Sequence, residues 1–359
     1  MQRVQRADIH RVTIPYRKAV TWEGGREEAA DYVVLRLFAD DGTEGAAECT
    51  AKPTWNGCDA ATLATALERL VLPMLRGRDL AQPGALAEPL RRLVENAAAK
   101  ALLENAQADL LGLASDRPVP VSWTLTRDTP ERMALEAEAV VKRHGFTVLK
   151  VKGGQGAAVD SAVIRAVRHA VGESVSFYVD TNGAHPADDA LAYAAALEDA
   201  GAIAVEDPYN LKPDNHLTAV QAGLRVPVIV DFSLDGVSSA RTFLQRGARG
   251  LSLKPTRFGL RKTSEMADAA ARAGALVVVG LFGESQAGAV HLMEMHSRLP
   301  PALPAEATFH LTLLDHYLHQ PLEIRDGRLV RPEARNLAAL IDWPRLERLG
   351  GGPVASVRF

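Results

Sequence analysis

FTVLKVK (146–152), VSFYVD (175–180), AIAVE (202–206), VPVIVD (226–231) and RGLSLK (249–254) are short apolar runs, each closing on a charged residue. Stretches with the apolar spacing of helices separate them. The closing residues Lys152, Asp180, Glu206, Asp231 and Lys254 recur at intervals of roughly 25 residues, the length of one strand, loop and helix. A charge in mid-strand would be buried at great cost, whereas the C-terminal end of a parallel barrel strand opens on the mouth where active sites lie. The ladder therefore predicts a site assembled from five consecutive barrel strands.

Working outward, the rhythm begins at VPVSWTL (119–125) and continues through ALVVVGLF (275–282) to AEATFHL (305–311), giving an expected eighth strand. The region before it differs. Strand-like VTIPY (12–16) and YVVLRLFADDGTEGAAEC (32–49), with a hairpin signal at Asp41-Gly42, precede helical patterns at 61–75 and 93–114. The expected partition is an α+β capping domain over 1–115, a barrel over 116–320, and a segment over 321–359 that returns to the capping domain. A second hairpin signal, Asp326-Gly327, lies in that last segment.

Composition narrows the function. The chain has 359 residues, 47% of them hydrophobic, and a net charge of −3, which gives no reason to expect nucleic acid or an anionic membrane as partner. Its N-terminus, MQRVQRADIH, lacks a signal-peptide core, and the longest apolar run, 275–283, is too short to span a bilayer. A cytoplasmic protein is expected, with Cys49 and Cys58 as free thiols. The histidines are scattered, and zinc is not expected.

Counted from VPVSWTL, Lys152 ends the second strand and Lys254 the sixth, so the two amines face each other across an eight-membered ring. The three acids occupy the arc between them. Asp180, Glu206 and Asp231 are hard oxygen donors suited to Mg²⁺ or Mn²⁺. Without a cation, like charges this close would push each other's pKa up. Lys150 shares a strand face with Lys152, and a neighbouring positive charge favours a neutral Lys152, able to act as base. A substrate carboxylate on the metal would make its α-proton removable, the enediolate charge being held by the cation. Asn182 and Asp207 lie close enough in sequence to support the site. Glu284 is either functional or the cap of the following helix. Lys150 is an assistant or a solvated neighbour, and Trp22, Trp55 and Tyr209 shape a pocket or simply pack.

KVK (150–152), VDTNGA (179–184), VEDP (205–208), VDFS (230–233) and KPTRFG (254–259) resemble, in order and spacing, the muconate-lactonizing-enzyme subgroup of the enolase superfamily. GLFGESQAG (280–288) and AKALLENAQADLLG (99–112) extend the resemblance over nearly the whole chain. It implies an α/β fold, a modified TIM barrel (β/α)7β with an N-terminal α+β capping domain. It further implies Mg²⁺ on Asp180, Glu206 and Asp231, with Lys152 and Lys254 as acid/base pair and Lys150 assisting. Capping loops near Thr21-Trp22-Glu23 and Thr50 to Gly57 would close over a small carboxylate substrate.

The departures are specific. Phe232 stands where the subgroup commonly has Glu, Gly259 is followed by Leu260 rather than a second glycine, and HLTLLDHY (310–317) offers only Asp315 where dipeptide epimerases carry Asp-x-Asp. The expectation is an isomerase, either a racemase or epimerase of an acylated amino acid or related acid, or a muconate-type cycloisomerase. β-Elimination, as in o-succinylbenzoate synthase or acid-sugar dehydratases, is the alternative. A metal-binding protein without this catalysis is the alternative of another class, and a homo-oligomer is expected.

Overall fold

The computed structural model describes residues 1–22, 25–93, 95–112, 117–299 and 303–359. Strands β1 (Val4–Trp22), β2 (Gly25–Ala39) and β3 (Glu44–Ala51) form an antiparallel meander. The β2–β3 turn follows the Asp41-Gly42 signal: Gly42 takes φ +80°, and Asp41 Oδ1 accepts from the Thr43 N–H at 3.0 Å. Alternation along β2 buries both faces of this sheet. Val33, Leu35 and Leu37 pack on Leu63, Leu102 and Ala106 of the helices that follow, while Tyr32 and Val34 face the barrel. Gly45 permits the closest approach, since a Cβ there would lie 2.6 Å from the Ala106 carbonyl oxygen and the Leu110 nitrogen.

Residues 119–125 split into two strands. β4 (Val119–Pro120) leaves the barrel, and β5 (Trp123–Leu125) begins it. Parallel strands β6 (Val148–Lys152), β7 (Ser176–Asp180), β8 (Val205–Glu206), β9 (Val228–Val230), β10 (Gly250–Leu253) and β11 (Leu276–Val279) follow in chain order, each reached through a helix. Their runs are apolar at successive positions because both faces are covered. Leu149, Val151, Phe177, Val179, Val205 and Val230 join the main core with helix residues such as Val163, Ile164 and Leu197. Val148, Tyr178, Ala204, Ile229 and Val278, at the alternate positions, form a separate buried cluster. Among the described residues the parallel sheet has seven strands.

The expected eighth strand over 305–311 is corrected to a single bridge. Ala305 pairs with Val121, and the Glu306 N–H reaches the Val279 carbonyl at 2.9 Å, closing the ring between β11 and β5. Pro304 has no N–H to extend the ladder, and it is the Thr308 hydroxyl that bonds the Ser122 carbonyl, at 2.8 Å. The chain then turns into a short 3-10 helix, Phe309–Thr312. The Asp326-Gly327 hairpin forms, as β12 (Glu323–Arg325) and β13 (Arg328–Val330), but it pairs with β4 rather than with the capping sheet. What joins that sheet is β14 (Ala355–Arg358), antiparallel to β1.

Candidate active site

The charged ladder converges at the C-terminal mouth of the barrel. Lys152 and Asp180 are register partners on β6 and β7, as are Asp180 and Glu206 on β7 and β8. Asp231 and Lys254 follow the ends of β9 and β10 directly. The Lys152 Nζ lies 2.5 Å from Asp180 Oδ2 and donates to Asn182 Oδ1 at 3.0 Å. The Lys254 Nζ lies 2.5 Å from Asp231 Oδ2, on the other side of the ring. Lys150 is buried, with its Nζ 3.0 Å from Asp180, 3.0 Å from Glu206 and 2.8 Å from Glu306.

These contacts set the electrostatics. Burial alone would lower the Lys150 pKa, but Asp180, Glu206 and Glu306 outweigh it and hold the amine well above its ordinary value. Burial would raise Asp180, yet the ammonium groups of Lys150 and Lys152 carry it below the usual carboxylate range. Asp231 is lowered in the same way by Lys254 and Lys150 against its burial. Glu206 is pushed well up by burial and by the charge of Asp180. Mutual repulsion among the acids thus surfaces at Glu206, and lysines relieve it at the other two.

Asn182 and Asp207 both adopt positive φ, +52° and +43°, a conformation that non-glycine residues rarely take. The reason is visible in their bonds. The Asn182 N–H and side-chain amide both donate to Asp180, and the Asp207 carboxylate accepts from the N–H groups of Asp231 and Phe232 at 3.1 and 2.8 Å. Asp207 is pushed up to about 7 by burial and by Asp231 and Asp180.

A cavity of about 160 Å³ opens beside this cluster, bringing together Lys150, Lys152, Asn182, Asp231, Lys254 and Trp55. Trp123, Leu281, Phe282 and Phe309 give it an apolar wall. Glu284 does not line it; its carboxylate accepts from the Thr256 hydroxyl at 2.5 Å and the Phe282 N–H at 2.7 Å. Tyr209 lines a neighbouring cavity instead. Trp22 ends β1, and its side chain, like all of Glu23, lies outside the described residues. Asp315 is held away by Arg345 at 2.6 Å.

Three residues escape a reading of the sequence. Glu306 is buried behind Lys150, where it also accepts from the Tyr178 hydroxyl and from the Leu281 N–H at 3.1 Å. Lys52, from the capping side, lines the cavity 3.4 Å from Glu27; burial lowers its pKa to about 8 against the pull of that carboxylate. Arg127 lines it too and donates to the carbonyls of Gly153 and Thr181 at 2.5 and 3.3 Å. Glu306 carries a signal as a lone acid inside the apolar run that closes the barrel, Lys52 only by lying in the expected capping loop Thr50 to Gly57, and Arg127 none.

Among the described residues, no group of three or more histidine, cysteine or acidic side chains closes directly around one ion position. Lysine ammonium groups sit against the acids instead. The donor set nevertheless fits a hard divalent cation, because three carboxylates converge from adjacent strands and Asp231 Oδ1 is buried with no hydrogen-bond partner. Glu206 Oε2 likewise accepts no hydrogen bond, although Lys150 stands nearby.

Two family models match the chain, "Mandelate racemase / muconate lactonizing enzyme, N-terminal domain" over residues 6–121 and "Enolase C-terminal domain-like" over 132–342. A chloromuconate cycloisomerase of Cupriavidus pinatubonensis is 28% identical over 341 residues, covering 89% of this chain and 92% of its own. An N-succinylamino acid racemase of Thermus thermophilus is 27% identical over 368 residues, with 97% of each chain covered. The crystal structure of a muconate lactonizing enzyme from Mycobacterium smegmatis, complexed with muconolactone, superposes with a TM-score of 0.90 at 26% identity, covering 98% of this chain and 100% of that one.

Proposed function

The chain belongs to the mandelate racemase/muconate lactonizing enzyme family of the enolase superfamily, and we propose that it moves a proton at the carbon α to a substrate carboxylate. It is an isomerase of that superfamily. The observation that carries the proposal is the placing of Lys152 and Lys254 on opposite sides of one cavity, with Asp180, Glu206 and Asp231 between them.

In this reading Asp180, Glu206 and Asp231 hold Mg²⁺ or Mn²⁺. The cation would neutralise the substrate carboxylate and so make its α-proton more acidic. Lys152, oriented by Asn182, takes or returns the proton on one face, and Lys254 does so on the other. Lys150 remains charged, fixed by buried carboxylates, and offers its field to the negative charge that develops as the proton leaves. The aromatic wall excludes water, which strengthens each of these interactions. Lys52 gives the cavity a further cation, which suits a substrate with a second carboxylate. Both an N-succinylamino acid and a muconate meet that description. Racemisation would use each lysine for one enantiomer, and cycloisomerisation needs only one of them.

The test is solvent exchange. In D₂O with Mg²⁺, N-acylated amino acids and muconate-type diacids should acquire deuterium at the α-carbon, read by NMR. Lys152→Ala and Lys254→Ala should each lose about a thousandfold or more in one direction of transfer. Exchange that survives in the double variant would sink the two-lysine mechanism. A keto acid or alkene appearing in the ultraviolet would move the assignment to elimination.

A further inference from the structure

Phe232 is the anomaly of the barrel mouth. It follows Asp231 directly, its backbone N–H is fixed by Asp207 at 2.8 Å, and the residue is left 51% exposed. Among the described residues, its ring contact comes from outside the barrel. Trp55, in the short helix Pro53–Asn56 of the capping domain, meets the Phe232 ring edge-on at 5.9 Å and 90°. The same indole meets Phe282 at 5.9 Å and 73°, and its face lies 4.8 Å from the Lys254 ammonium. Edge-to-face pairs and cation–π contacts both favour such geometry.

Trp55 also separates two spaces. Beyond it lies a second cavity of about 310 Å³, lined by Thr54, Tyr209, Asn210, Leu211, Phe232 and Ser233 among others. Among the described residues, Trp55 and Asn182 are the two that line both cavities. Asn182 is tied to Asp180 and Lys152, so the indole is the part of the partition that substitution can remove without disturbing those bonds.

We infer that Trp55 and Phe232 form an aromatic clasp that determines substrate specificity: Phe232 holds the indole across the gap between the cavities, and the indole limits how far a substrate extends past Lys254. Phe232 is a positioning residue, acting through Trp55. Opening the clasp joins the two cavities and admits acids with a longer or bulkier group on that side. The kinetic part rests on the function proposed above, and the structural part does not.

The experiment compares the Mg²⁺-loaded wild type with Phe232→Ala, Phe232→Tyr and Trp55→Phe. Acrylamide quenching of tryptophan fluorescence is read first, Trp55→Phe giving the contribution of the other tryptophans. The Trp55 component should be quenched at least about twofold more steeply in Phe232→Ala and should return to the wild-type slope in Phe232→Tyr, which keeps the ring edge. Equal slopes in wild type and Phe232→Ala overturn the clasp. For an acid that exchanges its α-proton, KM should rise about three- to tenfold in Phe232→Ala, with a smaller change in kcat, and Phe232→Tyr should restore it. The ratio of kcat/KM for a bulkier N-acyl group over a shorter one should rise as well, and an unchanged ratio overturns the specificity role. Should no acid exchange even in the wild type, the proposed function fails, while the quenching result still decides the clasp.

Discussion

Replacing Glu306 should show that the charge behind Lys150 holds the barrel together. The carboxylate is almost wholly buried and serves three donors, the Lys150 ammonium at 2.8 Å, the Tyr178 hydroxyl and the Leu281 N–H at 3.1 Å. At that separation the gross Coulomb attraction is about 6 kcal/mol for an effective dielectric of about 20. Part of it is offset, because Glu306 is no longer desolvated in the variant and Lys150 keeps Asp180 and Glu206. Two neutral donors lose their acceptor as well, at about 1–3 kcal/mol for a buried group left unpaired. Glu306→Ala should therefore cost about 3–5 kcal/mol, a large share of a typical folding free energy of about 5–15 kcal/mol. Glu306→Gln keeps an acceptor and loses only the ionic part, for about 1–3 kcal/mol. Urea unfolding followed by circular dichroism measures both. If Glu306→Ala unfolds within about 1 kcal/mol of the wild type, or Gln costs as much as Ala, the account of Glu306 as a shared acceptor is wrong.

Other expectations follow from single contacts. Glu48 is buried where strand β3 meets Ser285 and Tyr317, and burial lifts its pKa to about 7 despite the hydrogen bonds it accepts from them. An acid raised above its unfolded value of 4.5 binds its proton more tightly when folded, so its stabilising share is complete below about pH 4.5 and is lost as pH rises through 7. The wild type should lose roughly 3 kcal/mol relative to Glu48→Gln between about pH 4.5 and 8, and a pH-independent difference would contradict this. Gly45→Ala drives a Cβ into helix backbone and should cost about 1–3 kcal/mol, lowering the melting temperature by several degrees. Mg²⁺ at about a hundred times its Kd should add about 2.7 kcal/mol to stability. Chelation should reverse that gain, and Asp231→Asn should abolish it; identical melting curves with and without the cation would count against the carboxylate site.

The ladder is legible because each rung ends an apolar run, a pattern that strand ends at a barrel mouth satisfy. Lys152, Asp180, Glu206, Asp231 and Lys254 indeed meet at one mouth. The final strand misleads because apolar residues over 305–311 look like a strand whether they pair along their length or at one bridge. Pairing is limited by Pro304, which offers no N–H, and by the turn into the 3-10 helix Phe309–Thr312, neither of which shows in the apolar pattern. The roles of Glu306 and Lys52 are hidden for a related cause: one is a lone acid in the closing apolar run and the other a member of the Thr50 to Gly57 loop, but each acts on residues far away in sequence and neither sits at a repeat position. Phe232 reads in the sequence only as a missing polar contact. Its aromatic contact depends on Trp55 arriving from another domain, so the ring looks like a loss until the fold supplies its neighbour.

The pairing of β14 with β1 brings residues 355–358 beside residues 6–9. On a ribosome, therefore, β1 must wait with one hydrogen-bonding edge bare while the whole barrel is synthesised, and an unpaired edge of this kind recruits other strands. Arg6 and Asp8 place charge along that waiting edge. Strand β14 is thus less an appendage than a fastener: the capping sheet gains it only after the barrel beneath has been made.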